Sequence, residues 1–357
     1  MRKRLPWLLL TMTALGSVIA ASCGGDDTPA ATATSAAPAT SAASPTVPAT
    51  ATKAAAPNDL IAIKKTPASL ATDDAAWKDA KVTTVKTTVL KGTDSKVAVD
   101  ANLQAVYSDT DIWFRAEWSD ATQFLANQWT YDGTKWKAAS GQQDRLALIW
   151  QVTPSADFQT KGCAATCHNP EADKADKWWM VSPPGSTMDL WQWTTGRSAG
   201  DGQFADGTLS NKVPEPTALG APRVVDANTG GGNTANTNDA KDGPKMMQDP
   251  TKKPSLGPDF LLASEAVALD VSKLKAGDKV GRYLSAPFKG SAGDIDAKGA
   301  WANGKWTVVW HRKLDTGNPD DAKFAAGGAY PFGLALFNDL ADADHTTTAD
   351  VYTMKLQ

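Results

Sequence analysis

Cysteine and histidine are both scarce in this 357-residue chain, which holds three of each. No second C-x-x-C accompanies the two cysteines that lie close together, so a structural zinc site has too few ligands. Positive charge is not in excess either: 36 Lys and Arg stand against 39 Asp and Glu, a formal net charge of −3. Without a basic stripe to neutralise phosphates, nucleic acid is not an expected partner. Also missing are a G-x-S-x-G elbow, an H-E-x-x-H helix, a phosphate loop and a dinucleotide fingerprint. These absences remove the common catalytic classes. The chain reads as a carrier or binder, not as an enzyme with its own substrate.

The N-terminus is where a long apolar run does occur. Arg2, Lys3 and Arg4 precede a mostly apolar stretch from Leu5 to Ala21, which is short for a membrane span and matches a signal peptide over residues 1–22. Ala20-Ala21-Ser22-Cys23 resembles a lipobox, which makes Cys23 the expected lipidated residue and the alternative a plain secretory cleavage. Removing Arg2, Lys3 and Arg4 with the leader would take the formal charge from −3 to −6. Residues 23–57 then change to Ala, Thr, Ser and Pro, with Val47 the one larger apolar residue and no aromatic. Such a segment cannot bury enough surface to offset its ordering entropy. At ~3 Å per residue it is a tether that could reach about 100 Å. The expected location is the extracytoplasmic face of a membrane, held through the lipid.

Residues 58–357 supply the folded domain. In "DIWFRAEW", Ile112, Phe114, Ala116 and Trp118 alternate with Trp113, Arg115 and Glu117, the period of a strand. "LQAVYSDTD" before it makes the pair a hairpin. "RLALIWQV", "KWTVVWHRKL", "FGLALF" and "VYTMKL" are further strand candidates, and no sustained amphipathic helix is visible. Asp226 to Gly243 (DANTGGGNTANTNDAKDG) reads as an irregular polar loop. The pattern predicts a mainly β protein, an antiparallel β-sandwich with a long irregular insertion between about Val152 and Gly257.

That insertion carries the most specific motif, Cys163-Ala-Ala-Thr-Cys167-His168. Covalent haem attachment needs two thiols and a histidine that meets the iron beside the second thioether. The usual spacing is C-x-x-C-H; here one residue more separates the cysteines. In a helical turn that separation puts both thiols on one face. The rival reading is a Cys163–Cys167 disulfide, which an exported protein could form. Downstream, "DKWWMVSPPGSTMDLWQWTTGR" brings Trp178, Trp179, Trp191 and Trp193. Trp191 and Trp193 share a strand face and are candidates for a haem wall, or simply core. His311 reads as a surface or packing residue and His345 as a loop residue.

"DRLALIWQV", the C-x-x-x-C-H element, "MDLWQWTTGR", "FLLASEAV", "GRYLSAPFKGSAGDIDAKGAWANGKWTVVWHRKLDTG" and "YPFGLALFND" together give the chain a family likeness. It resembles the haem-binding domain of ethylbenzene dehydrogenase and dimethylsulfide dehydrogenase gamma subunits and of related exported c-type cytochromes. The resemblance implies a haem-holding β-sandwich that exchanges electrons with a molybdenum oxidoreductase or another redox partner. It also implies a methionine and a lysine as ligands of a b-type haem, for which Met246 or Met247 and Lys298 are the candidates by order and spacing. Family b-type subunits need no cysteine pair, and this chain has one. Either His168 replaces an axial ligand of a single haem c, or a haem c and a second, b-type haem occur together. The alternative function is a lipid-tethered carbohydrate- or solute-binding β-sandwich with a Cys163–Cys167 disulfide.

Overall fold

The computed structural model describes residues 56–89, 98–125, 128–139, 143–166, 182–183, 185–209, 223–256, 259–338 and 345–357. The expected signal peptide, Cys23 and nearly all of the tether lie outside them, as do Cys167, His168, Trp178 and Trp179.

Alternation builds the main sheet. Along its main path run β1 (Asp59–Lys64), β2 (Ala101–Tyr107), β3 (Asp111–Ser119), β4 (Arg145–Gln151), β5 (Met188–Thr194), β6 (Gly207–Leu209), β7 (Arg223–Val225), β8 (Asp296–Ala302), β9 (Lys305–Lys313), β10 (Ala329–Phe337) and β11 (Tyr352–Leu356), with three short strands, Thr83–Val85, Thr87–Val89 and Thr346–Thr348, paired beside it. They are hydrogen-bonded in the order β7-β6-β5-β4-β10-β11-β1-β2-β3-β9-β8. Pairing is antiparallel except around β1, which runs parallel to both β11 and β2. The β2–β3 hairpin forms as its pattern predicts. Ser108 closes its turn: the Ser108 N–H donates to the Asp111 carbonyl at 2.8 Å, and its hydroxyl accepts from the Thr110 and Asp111 N–H groups.

Five steps along this order separate β4 from β3, which would set them roughly 24 Å apart in a flat sheet. Yet Phe114 on β3 lies 5.8 Å, ring to ring, from both Trp150 on β4 and Trp191 on β5. Trp193 on β5 lies 5.2 Å from Trp306 on β9. The sheet therefore curls back so that its two halves face each other, and the predicted sandwich is present. Its core is unusually aromatic: Trp118, Trp150, Trp191, Trp193, Trp306, Trp310, Phe114, Phe204, Phe324 and Phe332 share one buried cluster.

The segment between Val152 and Gly257 is less irregular than its composition suggests. It contributes β5, β6 and β7 to the main sheet, and β5 carries two of the core tryptophans. The polar stretch 226–243, expected as an irregular loop, contains a strand, Asn228–Ala235, antiparallel to Tyr283–Gly290. Its register shifts at the glycines, and a Cβ on Gly231 would stand 1.8 Å from the Pro287 carbonyl oxygen. Only a residue without a side chain allows that approach, so a polar, glycine-rich sequence makes a strand that propensity argues against. No helix among the described residues is long and apolar enough to cross a membrane.

Candidate functional site

Just after β4 the chain turns into a short helix, α1 (Ala156–Lys161). The Ser155 hydroxyl caps it by accepting from the Phe158 N–H at 3.4 Å, and Asp157 and Lys161 pair one turn apart at 2.9 Å. Gly162, at φ 58°, ends it and leads into a tight turn, Gly162–Ala165, that carries Cys163. Phe158 is fully buried and holds α1 against the outer face of the sandwich.

Cys163 lies in that contact, 2 % exposed, in a cluster with Ile149, Phe158, Met188, Leu190 and Leu209. Ile149 of β4 and Met188 and Leu190 of β5 point outward here, opposite to Trp150, Trp191 and Trp193, as period two requires. The Thr347 hydroxyl donates to Cys163 Sγ at 3.0 Å. Thr166 folds its N–H and hydroxyl back onto the Cys163 carbonyl at 2.9 and 3.0 Å. Gly333 of β10 leaves the space: a Cβ there would meet Cys163 Cβ at 2.8 Å and Ile149 Cγ2 at 2.9 Å. Cys163 is disulfide-bonded in this structure, and its partner lies outside the described residues.

The surroundings of Cys163 are apolar apart from the Thr347 hydroxyl. All five of its cluster neighbours are apolar, and one, Met188, brings a thioether sulfur of the kind that binds haem iron. Met188 was not singled out from the sequence. Its signal was its position three residues before Trp191, on the face of β5 that alternation turns away from the tryptophans.

The other sequence candidates stand apart from Cys163. Met246 and Met247 pack in a separate cluster with Trp129, Leu261 and Val280, and Met247 Sδ accepts the Asp270 N–H at 3.3 Å. Lys298 is exposed on the edge strand β8. Trp191 and Trp193 are fully buried, with Trp150 and Phe114 against the first and Trp306 and Trp118 against the second. The Arg312 guanidinium also lies over Trp191, 5.0 Å from its ring centre. Both tryptophans belong to the core in this arrangement.

The ethylbenzene dehydrogenase family model matches residues 74–348, which include β2 to β10, α1 and the Cys163 turn, and leave out β1 and β11. The chain belongs to the ethylbenzene dehydrogenase family. No curated protein matches it. Among solved structures, this ethylbenzene dehydrogenase family member is similar to a family 9 carbohydrate-binding module from Caldicellulosiruptor kristjanssonii in complex with cellotriose. The identity is 8 %, the TM-score 0.32, and 84 % of this chain and 93 % of that one are covered. It is similar also to a putative carbohydrate-binding protein from Bacteroides uniformis at 6 % identity and a TM-score of 0.35, covering 84 % of this chain and 99 % of that one.

Proposed function

We propose that this protein is an exported, lipid-anchored c-type cytochrome that passes electrons to or from a redox partner, a molybdenum oxidoreductase of the DMSO reductase type. The observation that carries the reading is the Cys163-x-x-x-Cys167-His168 element inside the family-matched region. Cys163 and Cys167 would hold the porphyrin and His168 would ligate the iron through a neutral imidazole nitrogen, its other N–H directed to an acceptor. Bound haem supplies reversible one-electron transfer. The chain itself supplies attachment, an apolar surround and exclusion of water, and no substrate chemistry of its own. The apolar cluster around Cys163 supports this role, because a low-polarity surround and a thioether ligand both tune a haem potential. For the distal ligand, packing favours Met188 over Met246 or Met247, and Lys298 is left for a second, b-type haem.

A second reading is supported by the disulfide at Cys163. In it the protein is a lipid-tethered carbohydrate- or solute-binding sandwich with a Cys163–Cys167 bridge. A sulfur in a disulfide cannot also form a thioether, so the two readings exclude each other at one atom. A pyridine haemochrome spectrum, with haem stoichiometry per chain, decides between them on protein matured with the c-type assembly machinery. The cytochrome reading expects about one haem that survives a denaturing gel. A colourless band together with a Cys163–Cys167 peptide in the digest would sink it. On loaded protein, Met188→Ala is expected to lower the potential while Met246→Ala and Met247→Ala leave it unchanged.

A further inference from the structure

Apart from the cysteine motif, four carboxylates (Asp189, Asp206, Asp294 and Asp321) surround one guanidinium where β5 and β6 meet the loop after β9, and two more, Asp226 and Asp320, lie beside Asp321. Arg312 of β9 is fully buried, and its Nη1 donates to Asp189 Oδ2 at 2.9 Å while Nη2 donates to the Ala322 carbonyl at 3.0 Å. Asp206 and Asp321 are as buried as Asp189, Asp226 is 6 % exposed, and Asp294 and Asp320 are half-buried. One positive charge cannot balance so many negative ones, and burying a charge without compensation is costly.

The hydrogen bonds divide each carboxylate in two. Asp189 Oδ2 accepts from Arg312 and from the Ala322 N–H at 2.9 Å, and Asp206 Oδ1 accepts from the Gly207 N–H at 2.8 Å. Asp321 Oδ2 accepts from the Thr316 hydroxyl and from Asn318 Nδ2, the latter at 3.0 Å. Asp226 Oδ1 accepts from the Thr208 hydroxyl at 2.6 Å. The second oxygen of each of these four groups, namely Asp189 Oδ1, Asp206 Oδ2, Asp321 Oδ1 and Asp226 Oδ2, is buried and takes no hydrogen bond from outside the cluster, while Asp206 lies close enough to Asp189 and Asp294 to share a proton with either. Outer contacts thus orient these four carboxylates through one oxygen each. That is the division expected of metal ligands and the groups that support them.

We propose that this chamber binds Ca²⁺ through Asp189, Asp206 and Asp321, and that the ion pins the 315–323 loop to the β5–β6 edge of the sandwich. These three residues offer carboxylate oxygens within 4.8 Å of one another. An ion at the centre of such a triangle sits no more than about 2.8 Å from each, close to the roughly 2.3–2.6 Å that Ca²⁺ takes. Asp226, Asp320 and Asp321 form a second such triangle, so a second equivalent can share Asp321. An all-oxygen set with several anionic ligands and irregular geometry suits Ca²⁺; Mg²⁺ demands a near-octahedral shell and keeps its waters. Nothing in the chamber depends on haem.

The rival is protonation. Without a cation, burial and the neighbouring Asp189 charge push Asp206 well up, and burial, opposed by Arg312, pushes Asp294 up to about 7. Neutral carboxylic acids could then share the space. Calcium titration of the full chain, stripped with EDTA and dialysed, separates the two. The expected result is one or two tightly bound Ca²⁺ per chain by calorimetry and elemental analysis. Melting should rise by ~5 °C or more at a hundredfold excess over Kd. Asp206→Asn should weaken the first equivalent of calcium at least tenfold, and Asp226→Asn should weaken the second equivalent and spare the first. If either variant fails to fold, the titration of the unaltered chain decides. No bound calcium at millimolar free ion, with the same melting temperature in EDTA and in Ca²⁺, overturns the proposal. Equal or tighter binding of Mg²⁺ overturns the choice of ion.

Discussion

Gly333 sits where a strand and the Cys163 turn come closest, and one added methyl tests that contact. In Gly333→Ala the new Cβ meets Cys163 Cβ at 2.8 Å, Ile149 Cγ2 at 2.9 Å and Cys163 Sγ at 3.2 Å, so the turn has to lift. Overpacking of this kind costs about 1–3 kcal/mol. Urea unfolding should show the loss, and Cys163 should react faster with a thiol reagent after mild reduction. His311 tests electrostatics on the opposite side of the strand from the core. Burial opposes its charge, but hydrogen bonds to Asp296 and Asp111 prevail and raise its pKa above the usual 6.5. Its Nε2 lies 3.0 Å from Asp111 Oδ1, and its ring stacks on Trp113 at 4.8 Å. A raised pKa means the folded state holds the proton more tightly, so this stabilisation is complete below the unfolded pKa. It fades as the pH rises through the folded value. Melting temperatures should therefore decline from pH 6 to pH 8 by more in the parent than in His311→Gln.

At the scale of the element, α1 depends on tertiary contact more than on its own length. Six residues are too few to be stable alone, and one N-cap and one ion pair add little. Phe158 supplies the anchor, so Phe158→Ala should cost about 3–5 kcal/mol if the site does not collapse. Limited proteolysis should then cut near residues 155–166 first, while the sandwich core stays resistant. The strands behave differently. β3 and β9 were legible because large apolar residues recur at every second position; Phe114, Trp118, Trp306 and Trp310 turn into the main core, while Trp113 and Val309 pack in a smaller cluster on the other face. The strand Asn228–Ala235 was not legible, since its side chains carry no alternation and glycine contacts make the strand. The site shows the same split. Cys163 and its motif stood out as residue types, whereas Met188 acquired meaning only when β5 turned it toward Cys163.

At the scale of the whole molecule, the described residues begin at 56 and the expected anchor lies at Cys23. Cys23→Ser should release the protein from membranes or leave an unprocessed precursor, read by fractionation and by mass of the mature chain. A variant that matures and stays bound as before would remove the anchor from the account.

Local order along the chain determined what depends on neighbours in sequence: the strand period, the β2–β3 hairpin, the tether composition, the cysteine–histidine spacing and the family blocks. Each rests on steric or chemical rules that act over a few residues. Tertiary structure alone decided that β5 enters the main sheet, that Trp191 and Trp193 face the core, and that Met188 shares the buried cluster of Cys163 while Met246 and Met247 pack in another. It decided also that Asp189, Asp206, Asp294 and Asp321 converge on Arg312 from strands and loops that span over a hundred residues of sequence. The reason is physical. A carboxylate in sequence carries no mark of burial, and only the curled sheet brings these charges together and shuts them from water.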